Sequence, residues 1–189
     1  MIHMRNLGKA IACFKELGIE PRVGNFQSKL VMQKVIYLLQ AMGMKTGFSF
    51  GLYVHGTYSP SLTDELYSHQ KDIEALKTDE KLSGAELKLV EEFKEVMDEM
   101  KPSVLEIAAT YAYLAYEKKL PPKEARIALK EMKPYFSETD FTIGINRAKE
   151  LLFKPTEEDL KWLKKEMAPW EAASDEDMAK FEKKHLGKG

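Results

Sequence analysis

The 189-residue chain has one cysteine, three asparagines, four histidines and no apolar run near the roughly 20 residues needed to span a bilayer. A single cysteine, Cys13, excludes an intrachain disulfide and any zinc site built from several cysteines. It sits between Ala12 and Phe14, where an inert core thiol is expected rather than a reactive one. The N-terminus lacks a signal-peptide pattern, so a soluble cytoplasmic protein with no membrane partner is expected. His3, His55, His69 and His185 form no H-E-x-x-H or H-x-x-x-H pair, and no metal is expected. The chain also lacks a G-x-S-x-G elbow, a phosphate-binding G-x-x-x-x-G-K-[ST] loop and a dinucleotide fingerprint. With no motif that fixes a reaction, neither catalytic residues nor a cofactor are expected, and the protein is read as not an enzyme.

What is present is a chain of ordinary apolar content, 44% hydrophobic, long enough for one sizeable core. Formal net charge is −1, but residues 1–60 carry +5 and the remainder −6. A split of this kind can steer a partner. Apolar spacing predicts a first helix over 4–18 and a second, nearly all-apolar helix over 28–42 capped by Ser28. Its polar groups form a narrow line of Lys29, Gln33, Tyr37 and Gln40, plus Lys34. Such a helix belongs at the centre of a core.

Residues 48–55 alternate, with Phe48, Phe50, Leu52 and Val54 on one side, as in a half-buried strand. Ser59 and Pro60 are placed to cap and start a helix over 61–75. Further helices are expected at 84–100, 102–119, 122–133, 138–153 and 156–167, with a break at Pro169 and a last helix capped by Ser174 to Asp177. The connector 76–83 is read as room for a second strand. The fold class is thus mainly α, a compact multi-helix domain with one small β element. Residues 1–153 form a single globular helical domain, and 154–189 form a helical appendage that packs on the core or on a second subunit. Trp162 and Trp170 are expected to anchor that tail in an apolar pocket of the core or of a neighbouring subunit; in the second case the C-terminal helices would form a homodimer.

Three places are candidates for function. The turn His55-Gly56-Thr57-Tyr58-Ser59 gathers an imidazole, a phenol and two hydroxyls just before a helix N-terminus. It is read either as a partner-binding surface, with Gln33 and Tyr37 in support, or as a plain helix cap with Gly56 at positive φ. A serine nucleophile at Ser59 would need a base and an orienting group, and spacing supplies neither. Glu106 is a lone carboxylate in an apolar run and must pair, hydrogen-bond or stay protonated. Lys34 is its expected partner, making Glu106 and Lys34 a structural buried charge pair, with a bond from Glu106 to a tyrosine, an edge position in solvent or a functional acid as the alternatives. Tyr111, Tyr113 and Tyr116 are read as core packing rather than a base-stacking platform.

The segments Met32-Gln33-Lys34-Val35-Ile36-Tyr37, Gly56-Thr57-Tyr58-Ser59 and Leu105-Glu106-Ile107-Ala108-Ala109-Thr110 together resemble the YwgA-like proteins. These are related in pattern to the SocA-like (Panacea) antitoxin domain. The resemblance spans about residues 27–115, with Thr57 where that turn usually carries proline. It implies a mostly helical domain with a remnant winged-helix-like sheet that acts by binding another protein. The expected function is therefore a non-catalytic protein-interaction module, antitoxin-like or adaptor-like. The rival is a winged-helix-like DNA-binding regulator. The basic first third favours the rival, and the overall charge opposes it.

Overall fold

A computed structural model describes residues 2–155 and 157–185. In order, the chain forms α1 (Ile2–Glu16), α2 (Phe26–Ala41), β1 (Gly51–Tyr53), β2 (Gly56–Tyr58), α3 (Pro60–Ser68), α4 (Gln70–Glu74), α5 (Gly84–Met97), α6 (Pro102–Ala112), α7 (Pro122–Met132), α8 (Glu138–Leu152) and α9 (Glu157–His185). The protein is mainly helical with one small antiparallel sheet, in which Gly51 faces Tyr58, Leu52 faces Thr57 and Tyr53 faces Gly56. The chain divides into two compact units, Met1–Leu152 and Phe153–Gly189. No helix among the described residues is long and apolar enough to cross a membrane.

Helices α2 and α6 form the centre of the first unit and pack on each other. Residues 104–112 of α6 are all buried, as expected of a helix that is apolar on every side. Its other main neighbour is α8, and β2 lies against both α2 and α6. Local chemistry sets several of the boundaries. Ser59 caps α3 by accepting from Leu62 N, with Pro60 at the first turn. Ser83 and Glu86 form a reciprocal capping box at the start of α5.

Five local expectations differ from the structure, the first being the single helix expected over 61–75, which is interrupted at His69 (φ −123°, ψ 31°) into α3 and α4. Asn25, not Ser28, caps α2: its side chain accepts from Ser28 N at 2.9 Å, while Ser28 Oγ accepts from Arg22 N. The strand expected over 48–55 is only Gly51–Tyr53. Its partner is Gly56–Tyr58 rather than the 76–83 connector, so the alternation ends in a hairpin turn. The helix expected to run to 119 widens into a π-turn at Tyr113–Glu117, closed by Lys118 N donating to Tyr113 O. In the second unit, α9 runs through Pro169 without the expected break. Proline removes one hydrogen bond but leaves the turns on either side able to continue, so a long helix can absorb it. Trp162 is exposed, and the side chains of Trp170, His3 and His185 lie outside the described residues.

Candidate functional site

The turn between β1 and β2 rests on three buried charges from three helical segments. Lys34 of α2 is 2% exposed, Glu106 of α6 is 4% and Lys133, at the end of α7, is 0%. Lys34 Nζ donates to the carbonyls of His55 and Thr57, each at 2.5 Å. Lys133 Nζ donates to the Val54 carbonyl and, at 2.5 Å, to Glu106 Oε1. Carbonyls that turn inward at a tight hairpin need donors, and the two amines supply them. The expected Glu106–Lys34 pair is thus corrected. Both residues are buried, but Glu106 is bonded to Lys133, which lies 27 positions along the chain, and Lys34 serves the backbone.

Two cations against one anion leave this cluster short of negative charge. Burial lowers the Lys34 ammonium from its ordinary 10.5 to about 8, with Glu106 opposing the shift and Lys133 adding to it. Gly56, at φ +81°, lets the hairpin approach α6 closely, because a Cβ there would stand 2.2 Å from Thr110 Oγ1. Gln33 adds a further clamp. Its amide accepts from Ser59 N at 2.9 Å and donates to Ser59 O at 3.0 Å and to Thr63 Oγ1.

Above this base the surface opens into a groove of about 350 Å³. Phe26, Lys29 and Leu30 of α2 form one wall, the hairpin residues Tyr53, Val54, His55 and Tyr58 another, and Thr63 and Tyr67 of α3 the third. Phe26, Tyr53 and Tyr67 are more than half exposed, and Val54 is 83% exposed. The rings brace one another edge to face, Phe26 on His55 at 5.1 Å and Tyr53 on Tyr58 at 5.2 Å between centroids. Lys29 Nζ lies over the Tyr67 ring and donates to its hydroxyl at 2.5 Å.

Of the residues singled out in the sequence, the groove brings together Gln33, His55 and Tyr58. Thr57 and Ser59 are wholly buried, so their side chains support the turn and are not presented to a partner. Ser59 Oγ is occupied with Leu62 N and with Ser61 Oγ at 3.1 Å. Tyr37 lies elsewhere, in a second hollow with Tyr116 and Glu117, and its hydroxyl donates to Glu117 Oε2 at 3.2 Å. Burial, together with Glu117, pushes the Tyr37 phenol well above its usual value. Phe26, Lys29, Tyr53, Val54 and Tyr67 were not foreseen. A scattered set of ordinary surface residues carries no local signal until the hairpin folds onto α2 and α3. Among the described residues no three His, Cys, Asp or Glu side chains are grouped to hold a metal. No family model, no curated protein and no solved structure matches the chain.

Proposed function

We propose that the protein is a non-catalytic interaction module, antitoxin-like or adaptor-like, which docks a segment of another protein in the groove between α2, the hairpin and α3. The observation that carries this is the ring of exposed Phe26, Tyr53, Val54 and Tyr67 around a formed concavity. Large apolar side chains grouped around a pocket are the composition of binding hot spots. The buried charges beneath make the hairpin a rigid platform, which lowers the ordering cost of association. The alternative, a DNA-binding regulator, rests on the basic first third. It loses Lys34 to burial, and Lys9 to Glu86 at 2.6 Å.

The test is capture from native lysate followed by reconstitution. A partner should bind wild type stoichiometrically, and Val54→Asp should weaken the purified complex at least about tenfold while the melting temperature stays put. A partner that binds Val54→Asp as well as wild type would remove the groove from the interface. Salt-sensitive binding to random duplex DNA, in the absence of any groove-dependent partner, would favour the alternative.

A further inference from the structure

Resting on that docking surface, we infer that the segment it takes is acidic, an extended or helical peptide that places one large apolar side chain in the groove and a carboxylate beside Lys29. The groove lining includes Lys29, Lys34 and His55 and contains no Asp or Glu. Glu106 lies beneath the groove, 4% exposed, with its Oε1 held by Lys133 at 2.5 Å and 4.0 Å from Nδ1 of the half-exposed His55, so its charge is met from below and from the His55 side and Lys29 is left without a carboxylate in the lining. Lys29 is the cation within reach of a ligand. Its ammonium is held over the Tyr67 ring at 4.8 Å and spends one donor on the phenol oxygen, leaving two. The donors that remain can form a charge-assisted hydrogen bond to a carboxylate, which is stronger than a neutral one.

The experiment pans a displayed library of random peptides against the full chain at low salt, then measures enriched peptides by fluorescence anisotropy. Enriched sequences should carry Asp or Glu within a few positions of Phe, Trp or Leu. Lys29→Met should weaken them about tenfold, the scale of one lost charge-assisted hydrogen bond. Replacing the acids by Lys should abolish binding, and added salt should weaken it. If the peptides lose affinity for Val54→Asp but bind Lys29→Met within twofold of wild type, the acidic segment is wrong and the docking groove stands. If Val54→Asp has no effect, or nothing is enriched, the groove itself fails and the inference with it. If sedimentation shows a wild-type dimer that Val54→Asp dissociates, a second copy fills the groove and the acidic-segment inference is overturned.

Discussion

The ammonium of Lys133 and the carboxylate of Glu106 lie 2.5 Å apart beneath the β1–β2 turn, the lysine side chain entirely shut off from solvent. One residue ends α7 and the other sits midway along α6, so their pairing closes the α6–α7 connection while Lys133 also holds the Val54 carbonyl. Breaking either side strands a charge in the interior.

Glu106→Leu is expected to lower unfolding free energy by about 3–5 kcal/mol, because Lys133 loses its counter-charge where water cannot replace it. The double variant Glu106→Leu with Lys133→Met should be less damaged than the single change, since no lone charge remains. Lys161→Ala, on the exposed α9, should shift stability by no more than about 0.5 kcal/mol. Urea denaturation of the four proteins, wild type included, decides the matter. Equal, small losses for Glu106→Leu and Lys161→Ala would disprove the buried pair.

Alkaline pH should stabilise the protein over a narrow window. Lys34 has a folded value near 8 against an ordinary 10.5, so between these values the unfolded chain binds more protons. Stability then rises with pH, by about 1 kcal/mol from pH 8 to 9 for this group alone. Above 9 the gain is opposed by Cys13, whose thiol is pushed by burial from 9.0 to about 12 and so stays protonated longer when folded. Denaturation midpoints at pH 8 and 9 should rise in wild type and lose that rise in Lys34→Met. A wild-type slope that survives in the variant would assign it elsewhere.

Thr57→Val should leave the fold intact and raise stability by about 1 kcal/mol. Thr57 Oγ1 is buried with no hydrogen-bond partner among the described residues, so a methyl group of the same shape removes an uncompensated polar atom. The change should also leave partner affinity unaltered, because the side chain does not reach the surface. Weaker binding by a well-folded Thr57→Val would place this residue back among the contacts.

Gly56→Ala and Gly18→Ala form an internal comparison. Both glycines have positive φ, +81° and +68°, and an alanine in that region costs about 1–2 kcal/mol. Around Gly18 there is open space, whereas a Cβ at 56 meets Thr110 Oγ1 at 2.2 Å. Gly56→Ala should therefore lose a further ~1–3 kcal/mol from overpacking. Thr110→Ala in the same chain should recover part of it. Equal melting temperatures for the two glycine variants would show that the hairpin stands off α6.

Part of the candidate site could be read before the fold was known. His55 and Tyr58 were identifiable because a dense run of polar and aromatic groups precedes a strong N-cap, and Gln33 because it stands on the narrow polar line of an otherwise apolar α2. Thr57 and Ser59 were in the same run, yet the side chains of a hairpin alternate in direction and those two turn inward. Tyr37 was placed on the polar line of α2, but a full turn separates it from Gln33 and carries it to the other hollow. The π-turn that brings Glu117 to Tyr37 has no composition of its own to betray it.

Short-range chemistry along the chain was enough to determine the mainly helical class, the two apolar central helices, the Ser59–Pro60 start of α3 and the burial of Glu106 and Lys34. Each of these depends on residues within a turn or two, where periodicity and capping act directly. The partner of Glu106, the hairpin mate of β1 and the aromatic rim of the groove were decided only in three dimensions. Lys133 reaches Glu106 because α7 folds back beneath the turn, and charge pairing acts through space at a few ångströms whatever the separation along the chain.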